Sequence, residues 1–286
     1  MVGTVSYVDL PKFKVEVPNS IEDALELLHN HQANCKILAG GTDLLVDLRH
    51  RLIQPSVVID IKNILELKKL EFTENGLQIG AAVSISEVLK LPQLKTHYTA
   101  LYQALNDMCD EILRSRATIA GNIATASPAA DTAGPLYVHQ AIISVKSHSR
   151  GSRMILINDF FKGVKKSILD PDELIVSITL PSISKDTKSA FIKMKRGVED
   201  LALVGVTGAH NHQHTFLAYT AVAPTPIFLD ISMYITNNKI SEDLFQSIWK
   251  DVLTKINPIS DVRSSKAYRI HISEILTRLV LKEIIA

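Results

Sequence analysis

The stretch Lys36 to Leu45, KILAGGTDLL, sets two adjacent glycines between a β-like run (Ile37, Leu38, Ala39) and a helix-like run that continues to His50. A strand that enters a helix through Gly40-Gly41 has no side chains where its backbone turns, so something can lie directly against that backbone. The amides at the start of the helix, with the positive end of its dipole behind them, make a site for an anion, and Thr42 adds a hydroxyl donor. The pattern is neither G-x-G-x-x-G nor G-x-x-x-x-G-K-[ST], so neither an ordinary dinucleotide fingerprint nor a kinase-type phosphate loop is supported.

The surrounding pattern gives a small βαβ unit. PNSIEDALELLHNH predicts a helix capped by Ser20, with Asp23 placed to reach back and Ala24, Leu27 and Leu28 on one face. CKILAG then reads as a strand, GTDLLVDLRH as a helix and SVVIDI as a second, buried strand. From Leu65 the texture changes to LEFTENGLQIGAAV, two strands with Asn75-Gly76 at the centre of a hairpin turn. Helical stretches ISEVLKL and TALYQALNDMC follow, then the small-residue passage RSRATIAGNIATASPAADTAGP and a strand, AIISVKS.

The last hundred residues offer strands SAFIKMKR, ALVGVTGAHNH and TFLAYTAVAP and two helical stretches, the second with Ile272, Ile275, Leu276 and Leu279 as its packing face. The expected organisation is an α+β fold in three parts: an N-terminal βαβ lobe (1–62), a middle α/β lobe (63–181), and a C-terminal antiparallel sheet with helices (182–286).

In the second glycine passage, small residues leave Thr118, Asn122, Thr125, Ser127 and Asp131 on a backbone of little bulk. It reads as a loop along which an extended polar ligand can lie, with Asp131 suited to sugar or polyol oxygens. Two such loops, one in each of the first two lobes, suggest a long phosphate-bearing ligand held between them.

Other classes fit poorly. A net charge of +1 gives no field that would draw the chain to nucleic acid or acidic lipid. Two cysteines, Cys35 and Cys109, form no C-x-x-C pair, which suggests a reducing compartment and neither zinc nor a cysteine-ligated cluster. The N-terminus has no basic region leading into an apolar stretch, and no run approaches ~18 apolar residues, so a cytoplasmic chain without a membrane span is expected. His210, His212 and His214 alternate as metal ligands could, but with no nearby carboxylate or cysteine they read as an exposed hairpin tip.

The runs LAGGTDLL and ATIAGNIATASPAAD, at this separation, resemble the FAD-binding subunit of the molybdenum hydroxylases, the family of xanthine dehydrogenase, aerobic carbon monoxide dehydrogenase and aldehyde oxidoreductases. The resemblance continues through DELIVSITLP, SAFIKMKR, LALVGVTGA, TAVAPTPI and DVRSSKAYRIHISEILTRLV. It implies a vanillyl-alcohol-oxidase-type FAD fold working beside a large molybdopterin subunit and a small subunit with two [2Fe-2S] clusters; because large assemblies are usually symmetric, a dimer of heterotrimers is expected. Electrons from substrate oxidised at molybdenum would cross the clusters and leave through FAD to an external acceptor. The resemblance places the pyrophosphate loop on Lys36, Ile37, Leu38, Ala39, Gly40, Gly41, Thr42 and Asp43, and the second FAD loop on Thr118, Ile119, Ala120, Gly121 and Asn122. Thr125 and Asp131 match cofactor-bonding positions, and Ile175 and Lys193 positions near the flavin.

Relatives commonly read Gly-Gly-Asn in the second loop where this chain has Ala120-Gly121-Asn122; the extra methyl fits if the φ of Ala120 is negative. Some relatives carry a cluster-binding cysteine loop, which two cysteines do not supply, so no metal is expected here. Two other readings compete: a stand-alone FAD oxidase or dehydrogenase of the same fold, and a scaffold subunit that has lost FAD. The first lacks a covalent-attachment His or Cys in the glycine loops, and its third lobe is short for a substrate cap.

Overall fold

A computed structural model describes residues 10–235 and 240–285. It is an α+β structure built on three principal sheets, taken up in chain order. The first is parallel, in the order β1-β3-β2, with β1 Lys14–Glu16, β2 Cys35–Leu38 and β3 Val57–Asp60. Its central strand carries Val57, Val58 and Ile59 into the interior, as a strand covered on both faces requires. The helix Ile21–His31 is capped by Ser20 Oγ, which accepts from the Asp23 amide, and it buries Ala24, Leu25 and Leu28.

The second sheet is antiparallel, in the order β4-β5-β10-β6-β7. Its strands are β4 Leu70–Thr73, β5 Gly76–Gly80, β6 Ile142–Ser147, β7 Gly151–Leu156 and, after a small hairpin of β8 Phe161–Gly163 and β9 Lys166–Ser167, β10 Glu173–Pro181. The turn between β4 and β5 differs from expectation by one residue. Thr73 pairs with Gly76, so the loop residues are Glu74 and Asn75. Gly76 opens the strand at φ 119, where a Cβ would stand 2.0 Å from the Leu180 carbonyl oxygen. One apolar core serves both sheets: Leu25, Leu28 and Ile59 join Ile79, Ile143 and Ile178.

The third sheet is an antiparallel meander of β11 Lys188–Met194, β12 Val204–His210, β13 Thr215–Thr220 and β14 Ile227–Asp230. The last strand lies beyond the expected set. β12 is buried along its whole length because the helix Lys266–Ile285 covers one face and the helix Ala133–Val138 the other. Both approaches are close: a Cβ on Gly208 would reach 2.6 Å from Val280 Cγ1, and one on Gly134 2.3 Å from Thr207 Oγ1.

The packing face of the last helix is not the one its apolar residues outline. Ile272 and Leu276 are buried, but Ile275 and Leu279 are 40% and 44% exposed. The buried stripe instead takes in Arg269, Ser273, Thr277, Val280 and Ile284. Arg269 reaches the Leu203 carbonyl oxygen at 2.6 Å and Asp261 Oδ1 at 3.0 Å, and Thr277 Oγ1 meets Tyr219 Oη at 2.9 Å. The histidine trio also divides: His212 and His214 lie in the exposed turn, whereas His210 is buried with Nδ1 2.7 Å from Thr215 Oγ1. Among the described residues no helix is long and apolar enough to cross a membrane.

Candidate cofactor site

The strand β2 delivers the chain to Gly40-Gly41 and the helix Leu44–Arg49 carries it away, as expected. Gly41 turns at φ 78, a left-handed conformation costly for a residue with a Cβ. Gly40 is needed for a different reason: a Cβ there would lie 2.3 Å from the Arg116 carbonyl oxygen and 2.9 Å from Ala117 Cα. The first glycine turn is thus seated against the backbone that leads into the second. Among the described residues, the main-chain amides of Gly40, Gly41, Thr42 and Asp43 donate to no acceptor within the chain.

The second passage is not an extended loop. Thr118 caps a short helix, Ile119–Ala124, its Oγ1 accepting from the Gly121 amide at 2.9 Å. Small residues with a hydroxyl cap close a helical turn here because nothing bulky has to be placed. The segment is fixed to the body by a bridge between Ser84 and Thr118 and by the Ile85 amide on the Ala117 carbonyl oxygen. Ala120 avoids the left-handed region, so its methyl is accommodated as expected. Thr125 Oγ1 lies 3.1 Å from Asp43 Oδ2, which ties the two passages together.

Between them lies a cavity of about 570 Å3. Twelve predicted residues line it: Lys36, Ile37, Ala39, Gly40, Gly41, Thr42 and Asp43 from the first passage, Thr118, Ala120, Gly121 and Thr125 from the second, and Ile175 from β10. Ile175 sits beside a β-bulge, since β10 pairs Ile175 with Val145 but Ser177 with Ser144. Five predicted residues do not line it. Ile119 is buried in the core, Leu38 is half-buried with its Cδ1 beside Gly41, and Asn122 Oδ1 accepts from Thr132 Oγ1 at 2.6 Å.

Asp131 and Lys193 form a buried ion pair of 2.7 Å away from this cavity, with Asp107 Oδ2 3.7 Å from the Lys193 ammonium. Burial pushes the Asp131 carboxyl up, against the downward pull of the Lys193 charge, and Asp131 Oδ1 has no hydrogen-bond partner.

The far wall of the cavity escapes sequence reasoning. It is made by Lys165, Leu169, Asp170, Pro171, Glu173 and Leu174, with Asp47 across from them on the first passage's helix. The acids are held from outside. Arg153 grips Glu173 with two bonds of 2.7 and 2.8 Å, and Arg150 reaches Asp172 at 2.6 Å and Asp170 at 3.1 Å. Burial alone would raise the Glu173 carboxyl, but the Arg153 hydrogen bond, the Asp170 amide and the charges of Arg153 and Arg150 together outweigh it and hold the group below the usual carboxylate range. The one sequence signal for this wall is the run Asp170-Pro171-Asp172-Glu173, a proline turn opening a strand.

Two family models cover the chain: the FAD binding domain in molybdopterin dehydrogenase matches residues 11–183, and the CO dehydrogenase flavoprotein C-terminal domain matches residues 189–284. The putative xanthine dehydrogenase FAD-binding subunit of Escherichia coli K12 is 32% identical over 93% of this chain and 94% of its own length. The glyceraldehyde dehydrogenase medium chain of Sulfolobus acidocaldarius is 30% identical over 96% and 99%. Among solved structures, a chain of the carbon monoxide dehydrogenase of Hydrogenophaga pseudoflava superposes with a TM-score of 0.90 at 25% identity, covering 96% of this chain and 98% of that one. The chain belongs to the family of FAD-binding subunits of the molybdopterin-dependent dehydrogenases, oxidoreductases of the xanthine dehydrogenase and CO dehydrogenase type.

Proposed function

We propose that this chain is the FAD-carrying electron-transfer subunit of a molybdenum hydroxylase. In this reading it works in the cytoplasm beside a large molybdopterin subunit and a small subunit with two [2Fe-2S] clusters, in a dimer of heterotrimers. It accepts electrons from the clusters and passes them to an external acceptor. The observation that carries the reading is the junction of the two glycine passages, Gly40 against Arg116 and Thr125 against Asp43, at one cavity. Names of relatives such as medium chain and FAD-binding subunit support the presence of partners.

The residues present fit FAD. Gly40 and Gly41 leave a cradle that a side chain would fill, and the amides from Gly40 to Asp43 are donors without acceptors among the described residues. Oriented backbone N–H groups of this kind suit a diphosphate. Leu28, Ile37, Ala39 and Ile175 give the cavity apolar surface for a ring. When bound, FAD supplies the redox chemistry; the protein's share is to hold it, orient it and shield it. Thr118 and Thr125 hold the second passage in place for that task, and the Arg153–Glu173 pair stiffens the opposite wall.

The test is direct. Purified with its partners, the chain should show a flavin absorption band that bleaches on adding the complex's substrate. The chain alone should keep the band but fail to bleach with small substrates. A colourless protein that cannot be reconstituted with FAD overturns the reading, and bleaching without partners points to a stand-alone flavoenzyme.

A further inference from the structure

We infer that Lys165 is the cation that neutralises the cofactor's diphosphate, leaving Asp47 to do so; this rests on the FAD reading above. Four carboxylates line the cavity, Asp43, Asp47, Asp170 and Glu173, against two lysines, Lys36 and Lys165. Asp170 and Glu173 already face arginines, and Asp43 accepts from Thr125. A diphosphate brings further negative charge beside Asp43 and Asp47, and that repulsion has to be answered from within the site.

Lys165 is placed for this. It lies at the tip of the β8-β9 hairpin, and its amide donates to the Ala126 carbonyl oxygen at 2.9 Å, one residue from Thr125. The hairpin is therefore tied to the same junction that holds the two glycine passages together. Both Lys165 (φ 54) and Ala126 (φ 50) are in the left-handed region, a strained arrangement that persists only where the surroundings impose it. The Lys165 ammonium stands 3.6 Å from Asp47 Oδ1, with the lysine side chain 59% exposed. An ion pair so long and so wet is weak and easily redirected, whereas a phosphate oxygen offers a charge-assisted hydrogen bond. Lys36, by contrast, stands on β2 opposite Val58, upstream of the turn. Asp47 thus parks the ammonium at the mouth until the diphosphate takes it.

The experiment uses the full chain stripped of flavin and titrated with FAD, and separately with riboflavin, which lacks the diphosphate, by quenching of flavin fluorescence. Lys165→Gln should raise the FAD Kd about ten- to a hundredfold, leave riboflavin binding unchanged, and leave the melting temperature of the stripped protein unchanged. Lys165→Arg should keep most of the affinity. Asp47→Asn should tighten FAD several-fold, because it frees the lysine and removes a repulsive charge. If Lys165→Gln binds FAD like the parent, or if Asp47→Asn weakens FAD as much as Lys165→Gln does, the inference fails, the second result showing a mere clasp between hairpin and helix. If the parent chain binds riboflavin and FAD equally or neither, it is the FAD reading that fails.

Discussion

Thr125 Oγ1 lies 3.1 Å from Asp43 Oδ2, across 82 positions of sequence. The same hydroxyl is 3.0 Å from the Gly121 carbonyl oxygen, and a hydroxyl has one proton to give. Each time it turns toward Asp43 it joins the two cofactor passages; each time it turns back it only closes its own helix. Thr125→Val keeps the shape and removes both choices. The loss of one hydrogen bond is worth about 1 kcal/mol, so FAD should bind up to about fivefold more weakly, and the stripped protein, which makes the same bond, should lose no more than about that much unfolding free energy. Flavin fluorescence titration and urea unfolding would separate the two effects, and an unchanged FAD affinity would show that the link does not order the site.

The two glycines of the first passage should respond differently to alanine. At Gly40 the added methyl meets main-chain atoms of Arg116 and Ala117, which cannot swing aside. Overpacking of this kind costs about 3 kcal/mol, and here it also pushes the passages apart. At Gly41 the nearest atom is Leu38 Cδ1 at 2.8 Å, the end of a flexible side chain, and the main cost is the left-handed φ, about 1–2 kcal/mol. Gly40→Ala should therefore lose flavin on purification and Gly41→Ala should retain part of it, read as the flavin-to-protein absorbance ratio. Equal retention would place the tight contact elsewhere.

What the sequence tells and what it hides follows from where each partner comes from. The strand, glycine pair and helix from Lys36 to Arg49 are a local pattern, and they form where local pattern places them. Ile119–Ala124 has no apolar period to announce a helix; only the Thr118 cap does, and a cap is a single residue. In the last helix, apolar spacing points to Ile275 and Leu279, but the buried stripe is completed by Arg269 and Thr277, whose burial depends on Leu203 and Tyr219, and by Ser273, which bonds back to the Arg269 carbonyl oxygen. Polar side chains are buried when distant parts of the chain satisfy them, which no window of sequence contains. Lys165 and the acidic wall are hidden for the same reason. A hairpin brings the first to the cavity, and two arginines on and beside β7 make the second tolerable.

His139 is buried against Tyr98, edge to face at 5.1 Å, and its Nε2 has no partner. Burial disfavours its charged form and pushes its pKa from 6.5 down to about 4. Between these values the unfolded chain binds a proton that the folded chain refuses. The stabilisation is complete above pH 6.5 and is lost as the pH falls toward about 4, by about 2 kcal/mol at a pH of about 5. In His139→Met this loss should vanish, so the gap between unfolding free energies near neutral and mildly acidic pH should shrink by about that amount. Urea unfolding of parent and variant at both pH values checks it; parallel curves would remove His139 as the cause.

The Lys193–Asp131 pair separates charge balance from flavin chemistry. Its Nζ–Oδ2 distance is 2.7 Å, both side chains are almost wholly inside, and Asp107 Oδ2 stands 3.7 Å from the same ammonium. With two carboxylates about it, the lysine's positive charge is spent at close range, and little field is left to act farther off. Lys193→Met should therefore act first on stability. It leaves the buried Asp131 carboxylate unpaired, with Oδ1 already lacking a partner, and a buried charge stripped of its counterion costs about 3–5 kcal/mol. Replacing both residues, Lys193→Met with Asp131→Leu, removes the charge as well as its partner and should recover most of that loss. A double-mutant cycle by urea unfolding measures the coupling directly, and the flavin potential of the folded double variant in the assembled complex then reports any electrostatic reach. A single variant as stable as the parent would mean that water enters to solvate Asp131; a double variant with a shifted potential would mean that the pair acts on the flavin despite its neutrality.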